Sequence, residues 1–107
     1  MVRASRLAAS MSSTFAPDDP YPASRVIDDV MTDPCVSSLE LNAWLSVRVA
    51  ESTRIGWVAV YNRLVRPDLL GSFQVWIGAS AGDTSSSAAA QCGDTVTGAN
   101  TPGPFVF

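Results

Sequence analysis

The sequence predicts an all-β fold, a β-sandwich or jelly roll. Three observations point there. Apolar residues alternate over 43–49 and again over 70–77, the period of a strand with one buried face. Between them, 55–61 (IGWVAVY) is a continuous apolar run rich in β-branched and aromatic residues, which suits a central strand covered on both faces. Short strand patterns separated by turn residues and long loops complete the picture.

Taken in order, the first 40 residues read as loop. Pro17, Pro20, Pro22 and Pro34 each remove a backbone donor. The Asp-Pro pairs at 19–20 and 33–34 favour turns. Val26-Ile27 is a short apolar anchor ahead of Asp28-Asp29. In 43–49, Ala43, Leu45, Val47 and Val49 share one face, and Trp44, Ser46 and Arg48 share the other. Glu51-Ser52-Thr53 supplies a turn, and 62–67 is a polar connection. In 70–77, Phe73, Val75 and Ile77 share a side, and Gly78 ends the strand. Residues 79–104 read as a long irregular stretch, with at most a short uncapped helix over 85–91. Phe105-Val106-Phe107 reads as a strand beginning. Trp44, Trp57 and Trp76 lie in strand patterns and are expected mostly in the core, each indole N–H bonded to a partner. Trp44 and Trp76 fall off the main apolar phase; a Trp exposed at a loop end would instead be a platform for sugar stacking.

Composition narrows the function. A chain of 107 residues suits one small domain, 1–107, with 1–10 loosely ordered. A chain of this size buries roughly 60–70% of its unfolded surface, so its core has little to spare. Apolar residues make up 47% and charged residues 16%, which excludes a disordered tail or a charged helical rod. The net charge is −3, and all seven basic residues are scattered Arg, so nucleic acid is not an expected partner. No apolar run is long enough to span a membrane. With no His, neither a Ser-His-Asp nor a Cys-His nucleophile nor a His-ligated zinc can be built. Cys35 and Cys92 are compatible with one disulfide, which would stabilise by ~3–4 kcal/mol, and equally with two free thiols. The N-terminal stretch lacks the apolar core of a secretory signal. Either the protein is not secreted or the chain is part of a longer precursor. Asp18, Asp19, Asp28, Asp29 and Asp33 cluster in the Pro-rich segment, where solvated turns account for them better than a glycosidase pair does. No enzyme is expected.

Several segments in order resemble the discoidin (coagulation-factor type C) and fucolectin superfamily, whose domains are galactose-binding-like jelly rolls. NAWLSVRV, IGWVAVYNR and LLGSFQVWIG resemble its central strands. Ser12-Ser13-Thr14 resembles its entry, and Pro22 to Asp29 (PASRVIDD) resembles its "A-x-x-A-I-D-G" segment. The resemblance runs from about residue 8 to 107. It implies a lectin-like, carbohydrate-binding module at the cell surface or outside the cell, with glycans or glycoproteins as partners. The alternative within the fold is an adhesion module that binds protein or membrane without sugar specificity. The acidic balance and the lack of Lys make anionic membrane an unlikely surface.

The resemblance also implies sites. Asp28 matches the family's calcium-binding Asp, with the carbonyls of Arg25 and Val30 as further oxygens. The competing reading has Asp28 bracing its loop by accepting backbone N–H bonds. In the sugar site, Arg63 matches the first of the family's two Arg, Arg66 stands near the second, and Ser37 falls where the family has its His. An Arg fork donates parallel, charge-assisted bonds to vicinal hydroxyls. The competing reading of Arg63 is a partner for Asp68 or a cap for loop carbonyls. The resemblance further implies two strands after Phe107 and cysteine partners there for Cys35 and Cys92. The chain is therefore expected to be a piece of a longer, multidomain protein.

Overall fold

The computed structural model describes residues 6–13, 23–26 and 42–107. The chain forms two compact units, Met1–Ile55 and Gly56–Phe107. Among the described residues each unit holds strands, and the only helical elements are two 3-10 turns.

In the first unit, β1 (Arg6–Met11) pairs antiparallel with β2 (Leu45–Val49). The register runs from Met11 opposite Leu45 to Ala8 opposite Arg48, then slips before Arg6 meets Val49. That slip is a bulge at Leu7. The pair is closed by a reciprocal clasp: the Ser12 amide donates to the Trp44 carbonyl (2.9 Å), and the Trp44 amide donates to the Ser12 hydroxyl (3.0 Å). After β2 the chain turns as expected at 51–53. The Thr53 amide and hydroxyl both donate to the Ala50 carbonyl, at 3.2 and 2.6 Å. The 3-10 turn Ala23–Val26 lies beside β1.

The second unit holds two strand pairs. β3 (Ala59–Val60) pairs antiparallel with β6 (Phe105–Val106). The ladder extends one step, because Val58 and Phe107 exchange both backbone bonds, at 3.0 and 2.9 Å. β4 (Gly71–Ile77) pairs antiparallel with β5 (Ala90–Ala99). On one face of this pair Phe73 opposes Val96, Val75 opposes Cys92 and Ile77 opposes Ala90. The Phe73 ring meets Phe105 and Phe107 edge to face, with centroids 5.5 and 5.8 Å apart. This cluster is the core of the unit. It is thin: Ala99, 4% exposed, is the one fully buried apolar residue among those described.

β5 is longer than β4 and is bent to fit it. Two residues of β4, from Phe73 to Val75, span four of β5, from Val96 to Cys92. Two residues from Gly71 to Phe73 span three, from Ala99 to Val96. The extra residues fall at Gly93 (φ 65°) and Gly98 (φ 59°), where the left-handed backbone that such bulges need is cheap.

Several expectations change. Residues 6–11, expected as loop, are a strand. The apolar run 55–61 is not a central strand buried on both faces. Only Ala59 and Val60 are in strand, and Trp57 is 46% exposed. The run's partner among the described residues pairs with 58–60 alone. Leu45 and Val47, expected inward on β2, are exposed. The segment 79–104 is not irregular throughout, since it holds β5, and 85–91 forms no helix. The strand expected over 70–77 and the one starting at Phe105 are both present.

The β4–β5 connection is organised by Asp83. Its carboxylate accepts from the Ser86 hydroxyl (2.5 Å) and from the amides of Ala79 (3.0 Å), Ser86 (3.0 Å) and Ser85 (3.3 Å). Gly78 leaves room for this brace, because a Cβ there would stand 2.8 Å from that of Asp83.

Two predictions follow from these contacts. Gly103 has φ 82°, and a Cβ there would meet the Val60 carbonyl oxygen at 2.9 Å and the Phe105 nitrogen at 3.0 Å, both backbone. Gly103→Ala is expected to destabilise by about 1–3 kcal/mol in chemical denaturation. Gly98→Ala, with nothing within 4 Å of its Cβ, carries only the left-handed cost of about 1 kcal/mol. Equal losses would contradict the packing argument. The second concerns pH. The Ser86 hydroxyl, then the Ala79, Ser86 and Ser85 amides, hold the Asp83 carboxyl far below the usual carboxylate range. A depressed carboxylate contributes fully above its unfolded value, ~3.9, and loses that contribution as pH falls through the folded value. Hydrogen-exchange protection at the Ser86 amide should therefore be equal at pH 7 and pH 5, and should drop at both in Asp83→Asn.

Candidate functional site

The loop between β3 and β4 brings the two predicted sugar-binding arginines into one segment. Asn62 is its anchor. The Asn62 backbone amide donates to the Pro102 carbonyl (2.8 Å). Its side-chain Nδ2 donates to the carbonyls of Pro67 (2.6 Å) and Thr101 (3.1 Å), and its Oδ1 accepts from the Arg63 amide (2.8 Å). Only an Asn side chain supplies this donor–acceptor set at this length. One residue thus fastens both ends of the loop and ties it to 101–102.

The loop ends in the 3-10 turn Pro67–Leu70, which lies against β5. Pro67 suits its first position. Arg66, just before it, is left-handed (φ 55°, ψ 53°). The Leu69 amide donates to the Arg66 carbonyl at 3.1 Å. The Arg66 guanidinium closes a fork on Asp68, Nε to Oδ1 at 3.1 Å and Nη2 to Oδ2 at 2.9 Å. This bond and the paired charge push the Asp68 carboxyl down and the Arg66 guanidinium up.

The two arginines therefore differ. Asp68 is taken by Arg66, not by Arg63 as the competing reading of Arg63 had it. Arg63 is half-buried, its Nε is shielded from solvent without a partner, and no side-chain bond to a described residue engages it. Its charge reaches Asp68 only at a distance. Around these groups the loop is apolar rather than polar: Tyr61, Leu64 and Leu69 are exposed and Val65 is 70% exposed.

The remaining predicted site residues lie in the first unit. Arg25 sits on the 3-10 turn Ala23–Val26, and Asp28, Val30 and Ser37 lie outside the described residues, as does Cys35. Cys92 is a free thiol on β5. Among the described residues no group of three or more His, Cys, Asp or Glu could hold a metal ion. No helix among them is long and apolar enough to cross a membrane.

Sequence reasoning passed over Asn62. The signal available was an Asn ahead of a strand-to-turn connection, a residue type that bonds nearby backbone. It also left unused the polar phase of β4. Of the three Trp expected mostly in the core, none is fully buried. Trp76 alone shows the expected indole bond, from Nε1 to Gln74 Oε1 at 3.0 Å.

Comparison with known proteins finds no matching family model, no matching curated protein and no matching solved structure.

Removing the anchor tests the site's construction. Asn62→Ala leaves the Pro67 and Thr101 carbonyls and the Arg63 amide without their partner. It is expected to cost about 1–3 kcal/mol in urea denaturation. Asn62→Asp, which keeps the acceptor but loses both donors, is expected to recover little of that loss.

Proposed function

We propose that the chain is a carbohydrate-binding module of jelly-roll type whose ligand meets the loop from Tyr61 to Leu70. The observation that carries the reading is the contrast between the two arginines. The loop is held at fixed points by Asn62, and Arg66 is neutralised by Asp68. Among the described residues no group bonds the Arg63 guanidinium, whose Nε is buried and whose terminal nitrogens are uncommitted. An Arg whose backbone is anchored by Asn62 and whose terminal nitrogens are uncommitted suits hydroxyls of a sugar. The exposed Tyr61 adds an aromatic face in the same loop. The ordered resemblance to discoidin and fucolectin domains supports the ligand class. The absence of His from the sequence argues against the fucose specificity that the resemblance would bring.

A second reading, an adhesion module for protein or membrane, is favoured by one observation. Leu64, Val65 and Leu69 form an exposed apolar tip, the kind of surface that partners cover. The acidic net charge directs that reading toward protein rather than anionic lipid.

A glycan array, followed by calorimetry on any positive glycan, separates the two. The expected result is binding that Arg63→Ala weakens by roughly ten- to a hundredfold, the loss of one to two charge-assisted bonds. Arg66→Ala should weaken it much less. The array is run with calcium and with a chelator, since the resemblance assigns calcium to Asp28 and the Arg25 and Val30 carbonyls. A blank array in both conditions overturns the carbohydrate reading. Retention on collagen or on phosphatidylserine vesicles that Val65→Asp abolishes would replace it with the second.

A further inference from the structure

The β4–β5 pair has a second face, opposite Phe73, Val75 and Ile77. It carries Ser72, Gln74 and Trp76 from β4, with Gln91 directly opposite Trp76 on β5. Trp76, Gln74 and Gln91 are linked through Thr95 into one network, and Ser72 stands apart from it. Trp76 Nε1 donates to Gln74 Oε1 (3.0 Å), Gln74 Nε2 donates to Thr95 Oγ1 (2.9 Å), and Gln91 Nε2 donates to the same Thr95 oxygen (3.4 Å). Ser72 Oγ accepts from the Gly98 amide (3.0 Å). Gln74, Gln91 and Thr95 are exposed and Trp76 is half-buried.

A solvent-exposed strand face has no need of such a network, since water would satisfy every group in it. What it achieves is orientation. Trp76 is fixed by its only polar atom. Thr95 Oγ1 accepts twice, so its own O–H proton is directed away from both glutamines. Gln91 Oε1 is an acceptor with no protein partner. The result is an indole beside one aimed donor and one open acceptor, with no charged side chain in the network. A hydroxyl is at once donor and acceptor, which matches one aimed donor beside one open acceptor. We propose that this face is a second binding site, for a pyranose of a neutral glycan, with the ring against Trp76 and hydroxyls on Thr95 and Gln91. The site shares its ligand class with the Tyr61–Leu70 loop but does not rest on the loop's reading.

The test is an NMR titration of the full chain with cellohexaose and with mannohexaose. The Trp76 indole N–H, identified by its loss in Trp76→Phe, reports the sheet face, and the Arg63 backbone amide reports the loop. A saturating shift of the Trp76 indole by either glycan supports the proposal. Thr95→Val, which removes the aimed donor at a surface position, should then weaken that binding by roughly two- to tenfold. No saturating shift at Trp76 with either glycan overturns it, as does a shift whose midpoint Thr95→Val leaves unchanged. Shifts at Arg63 alone would uphold the loop and remove the sheet-face site. Shifts at Trp76 alone would uphold the sheet-face site, and the glycan array then decides the loop.

Discussion

Phe73 belongs to β4, while Phe105 and Phe107 belong to the strand that pairs with residues 58–60. Their edge-to-face contacts are therefore what join the two strand pairs of the second unit. Each such aromatic pair adds about 0.5–1.5 kcal/mol beyond the area it buries. That is a large share where so little else is fully buried. The other features of the unit serve this junction. Gly93 lies where a Cβ would stand 3.3 Å from the Phe107 ring, so the bulge in β5 also makes room for the cluster. Gly103 lets the chain pass close against the Val60 carbonyl and deliver Phe105 into register. Backbone geometry at two glycines is thus a condition of side-chain packing at three phenylalanines.

The same junction sets the loop. Residues 101–102, which accept from Asn62, directly precede the turn that leads into Phe105. Loss of the aromatic cluster would free that turn and with it the acceptors that hold Asn62. The site is stabilised from the core through the backbone, not through its own exposed side chains. The exposed fork of Arg66 and Asp68 adds shape to the loop and little to stability, as expected of a solvated ion pair.

How much of this could be read from residues alone depended on whether a strand's two faces differ. β4 was legible because Phe73, Val75 and Ile77 alternate with polar residues and meet an apolar partner on one side only. β5 was not, because Gly93 and Gly98 interrupt its period and shift its register twice; its pairing comes from β4, not from its own pattern. β1, RLAASM, offers Ala and Ser where a strand signal needs branched or aromatic residues. The run 55–61 misled for the opposite reason: its composition suggested burial on two sides, but only Ala59 and Val60 are in strand and Trp57 and Tyr61 are exposed. At the site, residue type pointed to Arg63 and Arg66 alike. The distinction between them is a matter of reach: Asp68 lies two residues from Arg66, within range of a fork, and only Arg66 closes on it.

A shared principle links the two surfaces argued for ligand contact. In each, one amide side chain is committed wholly or largely to the protein, and that commitment leaves a neighbour oriented and unused. Asn62 holds the loop and the Arg63 amide, and the Arg63 guanidinium has no partner among the described residues; Gln74 holds Trp76 and Thr95 and leaves the threonine proton aimed outward. The enthalpy of such bonds on a wet surface is small, because water competes for every one. Their consequence is entropic: a side chain already confined to its binding rotamer loses less on meeting a ligand. Where so little is buried among the described residues, hydrogen-bonded amides rather than packing pressure are the available means of fixing exposed groups. That is why the candidate sites lie where Asn62 and Gln74 make their bonds.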